Sequence, residues 1–257
     1  MNFKNLHQQK EPLLLANVWD ASSAQIAEKL NFKAIGTSSF AISNSLGYKD
    51  GEEMNFEELL FFVKRISSKV KIPLSVDLEA GYSRDPKIIA AHIKQLAQLG
   101  VVGINLEDSI VKNVRVLLSA EEFSTLIFKI KNILEREGFN IFLNIRTDTF
   151  IVKNADPIAE TIRRIQLYEK AGADGIFVPC ITQENDIKSV VENTSLPINV
   201  MCMPLLPDFP TLQKLGVKRI SMGNFLYDQM NIFLEKKLNS ISHQNSFQPI
   251  FQNDNQR

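Results

Sequence analysis

The chain has 257 residues, of which 44% are hydrophobic and 23% charged, and its 29 basic and 29 acidic side chains give a formal net charge of zero. This balance is typical of a globular protein, and the neutral charge argues against a nucleic-acid or anionic-membrane partner. No apolar run approaches the roughly 20 residues that a membrane span needs, and residues 1–12 are polar and lack a signal-peptide core. Two cysteines provide no disulfide framework, so we expect a cytoplasmic protein.

Short apolar segments with β-strand character alternate with amphipathic helical segments along the chain. The predicted strands cover 13–18, 33–38, 73–79, 102–107, 141–147, 174–179, 198–202 and 218–222. The predicted helices cover 21–30, 55–70, 86–99, 119–138, 156–171, 183–193, 208–215 and 224–238. Asp85-Pro86 and Asp156-Pro157 are typical helix starts, because the aspartate caps the helix and the proline occupies its first position. Eight strand–helix pairs match an α/β fold of the (β/α)₈ TIM-barrel type, although a doubly wound sheet would show a similar alternation.

The positions of polar side chains favour the barrel. Seven of them lie in or just past the ends of different predicted strands: Ser38, Asp77, Glu79, Glu107, Arg146, Asp148 and Asn199. In a barrel these ends converge on one mouth, and the long connections 39–54 and 108–118 leave that mouth as expected lids. We predict one barrel domain with an additional C-terminal helix over 1–238. The polar tail over 239–257 is expected to be disordered, with docking on a neighbouring subunit as the alternative.

Three carboxylates end two neighbouring predicted strands. Asp77 and Glu79 end one strand, and Glu107 ends the next. Oxygen ligands suit a hard cation, so we predict that these acids hold Mg²⁺, or Mn²⁺ as an alternative, directly or through water. Glu79 stands where a second aspartate would be expected, which favours a water-mediated contact. The competing interpretation is that all three are solvated turn residues, and Asp108 is more consistent with capping the next turn.

Arg146 ends the fifth predicted strand, where burial of a guanidinium is costly unless it is paired. It could clamp a substrate carboxylate or phosphonate, form an ion pair with Glu107, or do both. Ser38 and Ser39 follow the second strand, where hydroxyls and backbone N–H groups can approach an anionic ligand; helix capping is the alternative. Asn199, in the seventh strand, is a further candidate for substrate binding. None of the three histidines lies at a predicted strand end, which argues against histidine acid–base chemistry or zinc.

Five segments that contain most of these residues occur in a recognisable order. They are Asn17-Val18-Trp19-Asp20-Ala21-Ser22-Ser23-Ala24, Thr37-Ser38-Ser39-Phe40-Ala41 with Ser45-Leu46-Gly47, Val76-Asp77-Leu78-Glu79-Ala80-Gly81-Tyr82, Asn105-Leu106-Glu107-Asp108-Ser109 and Asn144-Ile145-Arg146-Thr147-Asp148. Together they resemble the isocitrate lyase / phosphoenolpyruvate mutase superfamily, in its phosphonomutase-like branch, over about residues 12–235. The resemblance implies a (β/α)₈ barrel, Mg²⁺, small 2-oxo or 2-hydroxy carboxylic acid substrates, and C–C or P–C bond chemistry. It also implies a homodimer or homotetramer that exchanges a C-terminal helix, here near 224–238.

The resemblance also assigns roles to individual residues. Asp77, Glu79 and Glu107 match the metal-organising acids of the superfamily, and Arg146 matches its substrate-clamping arginine. The loop that contacts the substrate carboxylate is matched by Ser38, Ser39 and Phe40. Asp50 matches an aspartate near the site in the mutase and hydrolase branches.

The second lid departs from the resembling enzymes. Isocitrate and methylisocitrate lyases carry a Lys-Lys-Cys-Gly-His segment there with a catalytic cysteine, whereas 109–118 contains no cysteine. The mutase lid carries Lys-Thr-Asn, and this chain has only Lys112-Asn113 in a shorter loop. A Trp-Gly pair of the family after the second strand is replaced by Gly36-Thr37. A standard isocitrate lyase or phosphonomutase is therefore not the favoured interpretation.

We expect a Mg²⁺-dependent lyase or hydrolase that cleaves a C–C or P–C bond of a small 2-oxo or 2-hydroxy acid through an enolpyruvate-like intermediate. A carbon–carbon lyase is favoured over a mutase. Arg146 would stabilise the developing oxyanion, and Asp50 and Lys112 are the candidates for proton transfer from the lids. The alternatives are a phosphoenolpyruvate/phosphonopyruvate phosphonomutase and a non-catalytic barrel that binds a metabolite.

Overall fold

Eight parallel strands form a closed barrel in the computed structural model, which describes residues 3–152 and 155–251. The barrel strands are β1 (Leu13–Val18), β2 (Ile35–Thr37), β3 (Leu74–Asp77), β4 (Val101–Glu107), β7 (Phe142–Arg146), β8 (Gly175–Phe177), β9 (Ile198–Met201) and β10 (Arg219–Ser221). Two further strands, β5 (Ser109–Val111) and β6 (Arg115–Leu117), pair as an antiparallel hairpin between β4 and the next helix. Around the barrel the order is β1-β10-β9-β8-β7-β4-β3-β2.

Helices follow the barrel strands and surround them, and one further short helix stands at each end of the described chain. They are α1 (Phe3–Leu6), α2 (Ala21–Lys29), α3 (Ser39–Ser45), α4 (Phe56–Ser67), α5 (Pro86–Gln98), α6 (Ala120–Arg136), α7 (Pro157–Lys170), α8 (Glu184–Glu192), α9 (Phe209–Lys214), α10 (Phe225–Gln244) and α11 (Gln248–Phe251). The predicted (β/α)₈ barrel is confirmed. The predicted helix starts are confirmed as well, because the side chain of Asp85 accepts a hydrogen bond from the N–H of Lys87 (2.8 Å) and that of Asp156 accepts one from Ala159 (3.0 Å).

The barrel interior contains a polar layer between its two ends. The Nδ2 of Asn144 donates to the Oδ1 of Asn105 (2.8 Å) and to the Oδ1 of Asn199 (3.2 Å), and all three side chains are buried. Arg219 lies beside them, with its Nη2 3.4 Å from the Oδ1 of Asn105. Buried amides need partners, and here they satisfy one another across strands.

A short N-terminal plug closes the amino end of the barrel. Phe3 meets Phe142 edge-on at 5.6 Å between ring centroids, and His7 stacks on the same ring at 4.3 Å. Gly103 makes room for this packing, because a Cβ there would lie 2.7 Å from the ring of Phe3.

The C-terminal region differs from the prediction. α10 continues to Gln244, so the predicted boundary at 238 is wrong, and α11 follows within the segment predicted to be disordered. α10 ends only at Gln244, because the next residue, Asn245, adopts the left-handed conformation that terminates a helix, with φ of 47°. α11 is tied back by Lys237, whose Nζ donates to the carbonyl of Pro249 (3.0 Å). Residues 252–257 lie outside the described part of the chain. Among the described helices, none is both long and apolar enough to cross a membrane.

Candidate active site

Asp77 ends β3 at the carboxyl end of the barrel, and its neighbours hold it in one orientation. Its N–H donates to the Oγ1 of Thr37 (2.8 Å), and its Oδ2 accepts from the Oγ of Ser39 (2.9 Å). Its Oδ1 is buried and has no hydrogen-bond partner among the described residues. Burial raises the pKa of Asp77, although Arg146 and Ser39 oppose the shift. A buried carboxylate oxygen without a donor is a natural contact point for a cation.

Glu79 follows in a turn with unusual backbone conformations. Its φ is 49° and that of Tyr82 is 56°, and Glu52, which meets this turn from the first lid, has a φ of 66°. The Oε1 of Glu79 accepts from the hydroxyl of Tyr82 (2.8 Å), and its Oε2 accepts from the N–H of Glu52. Burial, followed by repulsion from Asp50, raises the pKa of Glu79 to about 7. Left-handed conformations at non-glycine residues are costly, and their clustering here is typical of a functional site.

Glu107 and Arg146 lie side by side because β4 and β7 pair in that register. The Nη1 of Arg146 is 2.9 Å from the Oε2 of Glu107, so the expected ion pair is present. Arg146 also grips Asp148, from Nε to Oδ1 (2.6 Å) and from Nη2 to Oδ2 (3.2 Å). Burial raises the pKa of Glu107 against the effect of Arg146. Burial acts in the same direction on Asp148, but Arg146 and Arg115 outweigh it and hold the pKa of Asp148 low.

Arg115 is a site residue that the sequence analysis missed. It lies on β6, and its guanidinium turns into the mouth, where Nη1 contacts Glu107 and lies 3.0 Å from the Oδ2 of Asp148. Its Nη2 is 3.0 Å from the Oδ2 of Asp50. Lys112, proposed from the sequence, lies exposed at the tip of the hairpin, so the structure does not bring it to the acids. Two β-branched segments around Lys112-Asn113 are a signal that could have predicted the hairpin, although not which of its side chains turns into the mouth.

Asp108 organises the root of this hairpin rather than capping a turn. It is fully buried, and its Oδ2 accepts from the Nη1 of Arg164 (2.9 Å) and the hydroxyl of Tyr168 (2.8 Å). Its Oδ1 accepts from the N–H of Asp148 (3.0 Å), and its carbonyl accepts from the N–H of Leu118 (2.8 Å). The two ends of the hairpin are therefore fixed to the barrel.

The remaining predicted residues divide between the mouth and its surroundings. Ser39 and Asp50 contact the acid and arginine cluster, as described above. Ser38 caps α3, with its Oγ accepting from the N–H of Ala41 (3.3 Å), and Phe40 is half-buried. Asn199 is not at the rim, because it pairs in register with Arg219, the first residue of β10, and its Nδ2 donates to Ser221 (3.1 Å) inside the barrel.

The acids can hold a metal ion only in part through direct bonds. Within 3–152 and 155–251, no three acidic, histidine or cysteine side chains form a ready-made chelating group. Both oxygens of Glu107 contact arginines and both oxygens of Glu79 accept hydrogen bonds, whereas one oxygen of Asp77 has no partner in the described part of the chain. Mg²⁺ commonly keeps several waters and takes one or two carboxylates. The donor set therefore fits an ion bound directly by Asp77 and through water by Glu79 and Glu107.

Known proteins share this architecture. Residues 3–242 match the family model described as phosphoenolpyruvate phosphomutase. The chain belongs to this family. A solved structure from Burkholderia cenocepacia J2315, described as a candidate phosphonomutase, superposes with a TM-score of 0.86 at 33% identity and covers 92% of this chain and 97% of that one.

Curated relatives of this phosphomutase-family chain span several activities. An uncharacterized protein of Mycobacterium tuberculosis is 35% identical over 88% of this chain and 83% of its own length. Oxaloacetate decarboxylase of Pseudomonas entomophila is 28% identical over 82% of this chain and 74% of its own length. Other relatives are a phosphoenolpyruvate phosphomutase and a 2-methylisocitrate lyase. The superfamily is enzymatic, and its members support lyase or mutase chemistry for this chain.

Proposed function

We propose that the protein is a Mg²⁺-dependent lyase or hydrolase that cleaves a C–C or P–C bond of a small 2-oxo or 2-hydroxy carboxylic acid through an enolpyruvate-like intermediate. The observation that carries the proposal is the pairing of two features at the mouth. The buried Oδ1 of Asp77 has no partner among the described residues. Arg146 is near enough for its charge to oppose the rise in the pKa of Asp77, and it is fixed by Glu107 and Asp148. A cation-binding oxygen next to a rigid guanidinium suits a substrate with a carboxylate and an adjacent oxygen.

The side chains of the site have distinct roles in this proposal. When bound, Mg²⁺ would supply Lewis-acid polarisation of the substrate oxygens. Arg146 binds the substrate carboxylate and stabilises the negative charge that develops, a kind of contact whose removal costs roughly 10²–10³ in kcat. The hydroxyl of Ser39 donates to Oδ2 of Asp77, while Oδ1 has no hydrogen-bond partner within 3–152 and 155–251. Asp50, on the first lid, is our candidate for proton transfer because it reaches the same arginine as Glu107 and Asp148.

Phosphonomutase activity is the second candidate. It is favoured by the family match and by a phosphoenolpyruvate phosphomutase relative from Tetrahymena pyriformis, which is 27% identical over 86% of this chain. The lid counts against it, because the residues nearest to the mutase segment, Lys112-Asn113, are exposed at the hairpin tip.

A substrate panel tests these candidates. The protein would be incubated with Mg²⁺ and oxaloacetate, phosphonopyruvate or 2-methylisocitrate, and products would be followed by ¹H and ³¹P NMR, with Asp77→Asn and EDTA as controls. Metal-dependent release of pyruvate or oxalate is the expected result. Formation of phosphoenolpyruvate from phosphonopyruvate would support the mutase instead. Binding of oxalate without turnover of any compound would support the non-catalytic barrel.

We also propose that the protein is a homodimer or homotetramer that packs through α10. Of the 20 residues in this helix only Tyr227 is buried, whereas large apolar side chains are exposed. These are Leu226, Met230, Ile232, Phe233, Leu234 and Leu238. Such a face is typical of a protein–protein contact. Light scattering after size exclusion should give a multimer for the wild type and a smaller species for Phe233→Asp; a monomeric wild type would reject the assembly.

The cytoplasm remains the proposed compartment, since Cys180 and Cys202 are both free thiols.

A further inference from the structure

Arg115 is placed by a hairpin that is fixed at its base and packed at its side. The base is held by Asp108, as described above. At the side, Val111 lies against the loop that carries Asp50, so closely that a Cβ on Gly51 would lie 2.5 Å from the Cγ2 of Val111. Gly51 also has φ of 105°, a conformation that L side chains rarely adopt. These contacts therefore hold the guanidinium of Arg115 in a defined position at the mouth, with 15% of the side chain exposed.

The contacts of Arg115 are partly redundant. Asp148 is already bound at both oxygens by Arg146, and Glu107 is bound by Arg146 at Oε2. Arg115 adds a second guanidinium to the remaining Oε1 of Glu107 and to Asp148. Two guanidinium groups thus share two carboxylates, which leaves Arg115 free to change partners without leaving either acid unpaired.

A divalent cation at the neighbouring acids would favour such an exchange. Cation and guanidinium would be like charges competing for Glu107 in a poorly solvated site, so the contact between Arg115 and Glu107 would weaken. Asp50 would remain as a partner, and an acidic group on the substrate would supply the other. With one substrate carboxylate assigned to Arg146, a second acidic group on the substrate is the partner that matches Arg115 in charge.

We propose that Arg115 is the specificity-determining residue of the lid, which binds the second acidic group, carboxylate or phosphonate, at C3 of a 2-oxo acid substrate. This inference rests on the proposed function, and it adds a selectivity: 2-oxo acids with an uncharged substituent at C3 are poor ligands. Arg115 acts through a charge-assisted, two-pronged contact of the kind that guanidinium groups make with carboxylates and phosphonates.

The test compares three probes by titration calorimetry at a saturating concentration of Mg²⁺, so that a change in metal affinity does not alter the measured affinities. Oxalate reports the core of the site, 2-oxobutanoate carries an uncharged C3 substituent, and 3-sulfopyruvate carries an anionic one that does not leave. Wild type should bind sulfopyruvate more tightly than 2-oxobutanoate. Arg115→Gln should weaken sulfopyruvate by about 10- to 100-fold, the range of one or two charge-assisted hydrogen bonds, and change the other two by less than about 3-fold. Arg115→Lys should bind sulfopyruvate with intermediate affinity, because lysine keeps the positive charge but cannot make the two-pronged contact of a guanidinium.

The controls separate this inference from the proposed function. Lys188→Gln removes an exposed positive charge on α8 and should leave all three affinities unchanged. Failure of oxalate to bind the wild type would reject the proposed function and this inference with it. Normal oxalate binding with unchanged sulfopyruvate affinity in Arg115→Gln would reject the role of Arg115 alone. An equal loss for all three probes would assign Arg115 a purely structural role and would also overturn the inference.

Discussion

The two ends of the barrel are built from the same strands but differ in the side chains they collect, which are charged at the carboxyl end and aromatic at the amino end. The carboxyl end gathers five acids and two arginines from β3, β4, β7 and both lids: Asp50, Asp77, Glu79, Glu107 and Asp148, with Arg115 and Arg146. The amino end is sealed by aromatic packing of Phe3 and His7 on Phe142. Burial keeps His7 uncharged, with its pKa lowered to about 3 by burial and then by Arg219.

The energetic cost of burying charged groups is concentrated at the carboxyl end of the barrel. Burial raises the pKa of Asp77, Glu79 and Glu107, which means that their ionised forms are disfavoured in the metal-free site. Among the described residues, the amino end has no such concentration of acids and contributes packing. In a TIM barrel this division is expected, because chemistry lies at the carboxyl end and stability at the amino end. Changes at the mouth should therefore alter activity, and changes at the plug should alter stability.

The largest expected effect is that of Asp77→Asn at the mouth. It should lower turnover at least about 10³-fold, because the proposed Lewis-acid contribution of Mg²⁺, several kcal/mol, would depend on this carboxylate. The free energy of unfolding of the metal-free protein should not fall, since an acid with a raised pKa is being neutralised. Steady-state kinetics and urea denaturation check the two halves. Turnover above one tenth of wild type would contradict the assignment.

Phe142→Ala at the plug should show the reverse pattern. Loss of a buried ring that contacts Phe3 and His7 should lower the free energy of unfolding by about 3–5 kcal/mol. Oxalate affinity at 25 °C should stay within about 2-fold, because the folded site is untouched. Phe128→Ala, at a side chain that is 57% exposed, is the matched control and should cost less than about 0.5 kcal/mol. Equal losses in both variants would show that the plug does not stabilise the barrel.

His7→Phe should remove a pH dependence that belongs to the plug. The pKa of His7 is about 3 when folded and rises towards 6.5 on unfolding, so the unfolded chain takes up a proton first. Its contribution to stability is complete above pH 6.5 and is lost as the pH falls from 6.5 towards 3. Between pH 7 and pH 5 the wild type should lose about 2 kcal/mol more than the variant, given about 1.4 kcal/mol per pH unit. Denaturant midpoints at both pH values measure this, and parallel losses would argue that His7 is protonated in the native state.

The smallest expected effect is that of Arg115→Gln on the protein without substrate. Here the loss of a side chain should strengthen the binding of a metal ion. With the guanidinium removed from the Oε1 of Glu107, Mn²⁺ should bind about 10-fold more tightly in the absence of substrate, equivalent to about 1.4 kcal/mol. Electron paramagnetic resonance of free Mn²⁺ measures the affinity, with Lys188→Gln as the control. Weaker Mn²⁺ binding in the variant would mean that Arg115 supports the metal site instead of competing with it.

Much of the barrel and half of the site were predictable from local patterns. Apolar runs of strand length, aspartate–proline helix starts and carboxylates at strand ends are all written over a few consecutive residues. Asp77, Glu79, Glu107 and Arg146 could be placed at one mouth because parallel strands in a barrel all present their carboxyl ends on the same side. The end of α10 was misplaced because polar composition after 238 does not stop a helix, whereas the left-handed Asn245 does.

The sequence by itself determined the order of strands and helices, the acids at the strand ends and the family of the chain. Only the tertiary structure decided that Arg115 and not Lys112 enters the mouth, and that Asn199 points into the interior below the rim. The reason is physical. Strand periodicity assigns a side chain to one of two faces, but its height along the barrel and the direction of a hairpin depend on strand register and on contacts such as Val111 with Gly51, which join residues far apart in the chain.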